Sequence, residues 1–491
     1  MSVVAHKVIR GALIYTIAGY ASQAISFASS LILLRLLTPE HYGVFGLAVV
    51  LGSIFGRIKT WGLGQLLLAE TDPNDVEIST QFWLSVGLSI IVVLVMLAAV
   101  PLLALIYSPS QVWLAVLVAA ISIFDGEGVA SMSETLLERD LRYDLISLIM
   151  IGSLILSLLI TILLAALGLK GWALLGGLVA KTVSYCAAML IAAPRKPKFA
   201  FSIPYARWMM SQGRKLFWGG MGSYFAFSYD DLAVGTFAGS VALGLYRKAY
   251  DWSLIPTAIV GGINGVAGAT YAKVKEDRAA LSQATSSMLG IVAMIALPSS
   301  VGLALISREF ILALFPAAWL PAASMLQILM IFSLLRPIRE SFSGLATAVK
   351  RNDVVSKIGI IQTVAMLVFC TIFTLLWGAN GAALSAGLTT AAGLIVLYRE
   401  ILQHYVDVNY REALLMPGLA TLLGAVVTIA ASFVYLPAQP WPALLYKMTI
   451  FSAIYIGTLF LTARSRLLMF LNMLLGSFRR KEPVTTTAPS T

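Results

Sequence analysis

Long apolar runs alternate with short polar turns along almost the whole chain. Fourteen stretches are apolar enough to form membrane helices: 11–37, 43–66, 82–106, 111–133, 145–168, 171–193, 214–236, 245–268, 287–312, 320–347, 354–377, 380–402, 413–435 and 442–463. A bilayer core about 30 Å thick takes about 20 helical residues per crossing. Runs of this length exclude a membrane β-barrel, whose strands alternate in segments of about ten. The first run leads directly into further runs and is too long for the apolar core of a signal peptide, so it is expected to stay as a span. The pattern predicts an all-α polytopic membrane protein with about fourteen transmembrane helices.

Composition agrees. With 59% hydrophobic and 12% charged residues, the chain falls well short of the roughly 25% charge that keeps a soluble domain's surface polar. The connections fall into two kinds. TPEHYG, YSPSQ, GLKG, AGSVALG and GANG are tight turns, while those on the other side are longer and basic. Lys and Arg beside membrane helices are retained in the cytoplasm. With an inside N-terminus, Lys7, Arg10, Arg57, Lys59, Arg139, Arg142 and most later basic residues lie there, against only Arg35, Lys170, Arg308 and Lys447 opposite. Both termini are therefore expected to be cytoplasmic. The net charge of +11 then calls for no nucleic acid.

Cys186 and Cys370 sit in apolar runs, and His6, His41 and His404 are far apart in sequence. No disulfide framework, CxxC knuckle or HExxH site exists, so no metal or other cofactor is expected.

An internal repeat is visible. Tyr42-Gly43-Val44-Phe45 aligns with Leu243-Gly244-Leu245-Tyr246 at an offset of 201. Arg142-Tyr143-Asp144 falls on Arg351-Asn352-Asp353 at 209, and Gly168, Gly171 and Ala173 on Gly378, Gly381 and Ala383 at 210. Six spans per half, an even number, give two parallel lobes related by an axis along the membrane normal. The expected organisation is an N-terminal six-helix lobe (1–193), a basic cytoplasmic linker (194–213), a second six-helix lobe (214–402), two extra transmembrane helices (403–464) and a cytoplasmic tail (465–491). The connection from Pro194 to Lys215 holds six basic residues and no acidic one. Its aromatic and Met side chains suit an interfacial helix on anionic lipid. An ordinary basic loop fits it equally.

Charge at membrane depth marks the candidate site. Each charged side chain at the centre of a membrane helix costs roughly 2.5–3.5 kcal/mol, so it is kept where it faces protein or a water-filled cavity. The stretch Phe225–Pro256 carries Asp230, Asp231, Arg247, Lys248 and Asp251. Elsewhere at depth stand Arg35, Asp125, Glu127, Lys181, Arg336, Arg339 and Glu340, with Arg57 and Lys59 reaching inward. Arginine's planar fork suits phosphate oxygens bidentately. Arg35, Arg57, Lys181, Arg247, Lys248, Arg336 and Arg339 are therefore the expected substrate-binding cations. Asp125, Glu127, Asp230, Asp231, Asp251 and Glu340 are candidates for ion coupling or structural pairing. Pairing of Asp230 or Asp231 with Arg247 or Lys248, and of Arg336 with Glu340 one turn on, is the competing explanation.

The residues RLLTPEHYGVFGLAVV at 35–50, GLGQLLL at 62–68, YDDLAVGTFAGSVALGLYRKAYDWSLIP at 229–256 and FPAAWLPAASMLQIL at 315–329 carry a resemblance. The whole chain resembles polysaccharide-transporter flippases of the multidrug/oligosaccharidyl-lipid/polysaccharide exporter superfamily, in the branch exporting exopolysaccharide, colanic-acid-like or lipopolysaccharide repeat units. Thr236 departs from that pattern, which often has a basic residue there. The resemblance implies a flippase of the bacterial inner membrane. It would move undecaprenyl-diphosphate-linked oligosaccharide outward, with the last two helices shaping a groove for the lipid tail. Membrane lipids, and the polymerase and export machinery of the pathway, are the implied partners. A cation-coupled drug exporter of the same superfamily is the alternative, and it predicts a lumen dominated by carboxylates. A membrane enzyme such as a glycan polymerase or glycosyltransferase is remote. External loops are short, histidines are scarce and there is no P-loop.

Overall fold

The computed structural model describes residues 3–59 and 61–462. The expected tail at 465–491, with the basic residues from Arg464 to Lys481, lies outside the described residues. Eighteen α-helices and no strand occur among the described residues. In order they are α1 (Val3–Leu36), α2 (Pro39–Gly56), α3 (Leu63–Ala69), α4 (Asp75–Leu103), α5 (Pro109–Ile121), α6 (Ser131–Arg139), α7 (Tyr143–Ala166), α8 (Gly171–Ala192) and α9 (Ile203–Ala233). Next come α10 (Ser240–Ser253), α11 (Ile255–Val274), α12 (Arg278–Leu314), α13 (Ala322–Ala348), α14 (Asn352–Ala365), α15 (Thr371–Leu397), α16 (Gln403–Tyr405), α17 (Tyr410–Val434) and α18 (Pro440–Thr462).

All fourteen predicted runs fall on helix, but not one to one. Nine helices among the described residues are long and apolar enough to cross a membrane. One of these, Asn352–Tyr405, contains two predicted runs, because Gly378 at φ 58° turns the chain inside it. Three other runs are divided: 245–268 bends by 40° between α10 and α11, and two are interrupted by irregular chain. The expected span 43–66 divides into α2, a 3-10 turn (Arg57–Lys59) and α3, and the span 111–133 into α5, a 3-10 turn (Ser122–Phe124) and α6. Large apolar side chains such as Leu105, Ile191, Phe433 and Val434 are more than four-fifths exposed. Surfaces of that kind suit lipid, and the chain is a multi-pass membrane protein.

Local sequence accounts for the helix starts. Asn74 accepts from the backbone N–H groups of Val76 and Glu77, while Glu77 accepts from Asn74 N at 2.9 Å, a reciprocal cap on α4. Asn409 caps α17 through Glu412 N. The repeat recurs in the backbone. Gly168 and Gly378, aligned in sequence, both take positive φ. So do Leu141 (φ 57°) and Lys350 (φ 61°), each just before the aligned Arg142 and Arg351. Non-glycine residues pay for this conformation, so its recurrence at an offset of 209 marks one turn used twice.

The chain forms two compact units. The first comprises Met1–Trp252, Leu314–Phe332 and Ser356–Gly393; the second comprises Ser253–Ala313, Ser333–Val355 and residues from Leu394 on. In the first, Leu63, Leu67, Ile78, Met132, Leu136 and Met209 form one core, and Leu33, Leu37, Ala165 and Ala173 another. Trp319 is fully buried there, donates through Nε1 to the Leu34 carbonyl at 3.1 Å and meets the Tyr42 ring edge-on. Trp319→Phe should lose this bond and leave a cavity where the indole's second ring stood, costing about 2–3 kcal/mol. A lowered unfolding midpoint in detergent checks this.

In the second unit, Met294, Ala420, Tyr455 and Leu459 pack together, and Tyr455 Oη donates to the Met294 carbonyl at 2.7 Å. Phe451 fills the space left by Gly302 and Gly424. Lys447, in the expected span 442–463, is largely buried and paired with Glu309 at 2.9 Å.

Candidate functional site

The two broken spans meet. Eighteen residues of α2 reach about 27 Å, and α5 with its 3-10 turn about 24 Å, both short of a full crossing. Irregular backbone within a bilayer persists only where protein or a water-filled cavity satisfies its polar groups. Here one side chain serves both breaks. Lys59 is buried and donates from Nζ to the Ser122 carbonyl at 2.5 Å and to both Asp125 carboxylate oxygens at 2.7 Å. Asp125 also accepts from the N–H groups of Glu127 and Gly128 at 3.0 Å, which fixes the turn. Gly62 sits at φ 64°, and a Cβ on Gly128 would stand 2.0 Å from the Ile123 carbonyl oxygen. Glycine is required at both places.

Beside this pair lies a cavity of about 400 Å³, within the usual range of small-ligand sites. Its polar wall is made by Ser53, Arg57, Ser122, Asp125, Glu127 and Thr182. The Arg57 guanidinium lies 4.8 Å from the centre of the Tyr224 ring, whose hydroxyl is 2.6 Å from Ser53 Oγ. A cation held on an aromatic face keeps its N–H edge available for an anion. The carboxylate and hydroxyls suit the hydroxyl groups of a sugar.

The central stretch forms a second cluster against α2. Asp230 is buried and accepts from Tyr246 Oη at 2.6 Å. Arg247 lies 3.7 Å from Asp231 and donates to the Gly46 carbonyl at 3.0 Å. Lys248 pairs with Asp251 at 2.7 Å and lies 4.9 Å from the centre of the Tyr42 ring. Thr236 shares a 2.6 Å hydrogen bond with Tyr107. The contact between α10 and α2 is reciprocal. A Cβ on Gly43 would stand 1.6 Å from the Ser240 carbonyl oxygen, and one on Gly244 2.0 Å from that of Pro39. Pro39 and Ser240, Gly43 and Gly244, and Gly46 and Arg247 are all 201 residues apart, the offset of the repeat.

In the second unit Arg336 pairs with Glu340 at 2.9 Å, and Asn264 donates to the Pro337 carbonyl at 3.1 Å. Arg339 is half-buried one turn from Arg336. Arg35 is exposed in the last turn of α1, and Lys181 is exposed on α8.

The first unit thus gathers Arg57, Asp125 and Glu127 at one cavity and Asp230, Asp231, Arg247, Lys248 and Asp251 at one crossing. Arg247, Lys248 and Arg336, three of the expected cargo cations, hold carboxylates. Sequence reasoning passed over Tyr224, Tyr246 and the Lys447–Glu309 pair. The dipeptides Trp61-Gly62 and Gly126-Glu127, beside Gly64 and Gly128, were the available signal for the breaks.

A family profile described as polysaccharide biosynthesis protein matches residues 32–324. The lipopolysaccharide biosynthesis protein WzxC of Escherichia coli K12 is 22% identical over 439 residues, covering 87% of this chain and 88% of its own. The succinoglycan biosynthesis transport protein ExoT of Rhizobium meliloti is 24% identical over 301 residues, 60% of each chain. Among solved structures, the lipid II flippase MurJ in an inward closed conformation superposes with a TM-score of 0.75 at 16% identity, covering 93% of this chain and all of that one. That likeness establishes a shared fold.

Proposed function

The chain belongs to the polysaccharide biosynthesis protein family, and from that premise we propose that it flips undecaprenyl-diphosphate-linked oligosaccharide repeat units across the bacterial inner membrane for exopolysaccharide or lipopolysaccharide assembly. The relatives' names, biosynthesis and transport of such polymers, support this cargo, and the flippase fold supports the act of moving it. The observation that carries the reading furthest is the polar cavity where two interrupted membrane helices meet. Transporters commonly build the sites of polar cargo from interrupted helices.

In this reading Arg57 takes a diphosphate oxygen, and Glu127, Ser53, Ser122 and Thr182 take sugar hydroxyls. Arg247, Lys248 and Arg336 are held in place by their carboxylates until a diphosphate, more highly charged, competes for them. Arg35, Lys181 and Arg339 lie along the remaining path. Asp125 fixes the site, and Asp230, Asp231, Asp251 and Glu340 hold or release the cations as the lobes, 1–193 and 214–402, alternate. Residues 403–464 flank the lipid tail, and 194–213 and both termini face the cytoplasm. No bond of the cargo is made or broken, so the protein is a transporter and not an enzyme. The polymerase and export machinery of the pathway receive what it delivers.

Deleting the gene should strand repeat units on their lipid carrier at the inner face. Extraction of lipid-linked intermediates from the deletion strain checks this, and unchanged levels would exclude flipping as the role.

A further inference from the structure

The first turns of α9 are amphipathic. Ala206, Met209 and Gly213 are buried, while Ile203, Arg207, Trp208, Arg214, Lys215 and Trp218 are exposed, a helical period. The inner face touches the chain on the far side of both helix breaks. Met209 packs in one core with Leu63 and Leu67 of α3 and Met132 and Leu136 of α6. A Cβ on Gly213 would stand 2.4 Å from the Trp61 carbonyl oxygen, Leu216 lies over Gly62, and the Trp61 and Phe217 rings stack at 4.9 Å. This helix is the wall behind the turn that carries Arg57 and Lys59.

The outer face has a different character. Of the six basic residues from Pro194 to Lys215, three are already engaged. Arg195 and Lys198 reach Asp75, and Lys196 bonds the Leu190 and Ile191 carbonyls at the end of α8. Backbone bonds from Lys198 N to Ser79 and from Ser202 N to Thr80 tie the connection to the start of α4. Arg207, Arg214 and Lys215 have no carboxylate partner among the described residues, and no acidic residue occurs between Pro194 and Tyr229. Three cations flanked by two exposed tryptophans match the phosphate and glycerol depth of an anionic leaflet.

We propose that the outward face of α9 from Ile203 to Trp218 binds the headgroups of anionic phospholipid, and that this lipid braces the two helix breaks from behind. The proposal concerns a lipid that is not cargo and is independent of what the cavity carries.

The test uses the full chain in neutral detergent with equal amounts of phosphatidylglycerol and phosphatidylcholine, retained lipid being read by native mass spectrometry. Wild type should keep phosphatidylglycerol preferentially. Each cation near an anionic surface contributes roughly a fivefold preference, so Arg207→Ser/Arg214→Ser/Lys215→Ser should lose most of it. A Lys273→Ser/Lys350→Ser control should not. Phosphatidylglycerol should also slow amide exchange over residues 57–64 in wild type and leave the triple variant unchanged. Equal retention by wild type and the triple variant, equal loss in the control, or unaltered exchange at 57–64 in wild type would each overturn the proposal. The three side chains are exposed, and an unchanged circular dichroism spectrum verifies the fold.

Discussion

Gly43→Leu and Gly244→Leu should each abolish polymer export, and even alanine at either position should reduce it by about fivefold or more. The atoms a new Cβ would meet, at 1.6 Å and 2.0 Å, are backbone carbonyl oxygens of Ser240 and Pro39, which cannot rotate aside as a side chain can. The starts of α2 and α10 would have to separate, and separation also stretches the bond from Arg247 to the Gly46 carbonyl. Overpacking of this kind costs about 1–3 kcal/mol for a methyl group, and each 1.4 kcal/mol is a factor of ten in population. Leucine cannot be accommodated at all without parting the helices. Secretion in a deletion strain, normalised to the amount of protein in the membrane, is the measurement. Gly265→Ala is the control, since nothing lies within 4 Å of a Cβ there. Wild-type secretion by Gly43→Ala would show that the crossing tolerates opening.

Asp125→Asn should be more damaging than Lys59→Met, although both break the same pair. The Lys59 side chain is 3% exposed and that of Asp125 39%. Asparagine leaves the ammonium group an amide oxygen and the Ser122 carbonyl as acceptors but no charge to balance it, and an unbalanced buried charge costs roughly 3–5 kcal/mol. Removing the lysine leaves a carboxylate that faces the cavity and keeps the N–H groups of Glu127 and Gly128, and the penalty should be about 1–2 kcal/mol. Combining Lys59→Met with Asp125→Asn should cost less than the sum, the mark of direct coupling. Unfolding midpoints in detergent rank the three variants. Export should fall in the same order, because the turn that Asp125 fixes presents Glu127 and Lys59 holds the residue pair next to Arg57. If Asp125→Asn proves no worse than Lys59→Met, the ion pair is not what unites the breaks.

The helices were legible because burial in lipid demands long apolar runs, and a run such as 145–168 or 413–435 has no other outcome. The breaks were not, since 111–133 stays apolar on both sides of Asp125-Gly126-Glu127-Gly128 and hydropathy averages over four residues. Charge at depth singled out Arg57, Asp125 and Glu127, which line one cavity. It offered the pairs Arg247–Asp231 and Arg336–Glu340, both present, but did not decide between them and cargo. Whether Arg247 meets Asp231 or a cargo phosphate depends on side-chain geometry across two helices, which spacing along one chain does not contain. Tyr224 and Tyr246 escaped notice for a related reason: an aromatic residue in an apolar run carries no sign of the polar group its hydroxyl or ring will meet.

The mismatch of Gly46 with Arg247 at a crossing otherwise built from equivalent positions needs two different copies of the repeat. In a dimer of two identical subunits, the same residue would have to stand at both places. Two glycines would supply an acceptor without a donor, and two arginines would collide where the chains pass closest. A single polypeptide is free of that constraint, and here one repeat supplies the space and the other the charge.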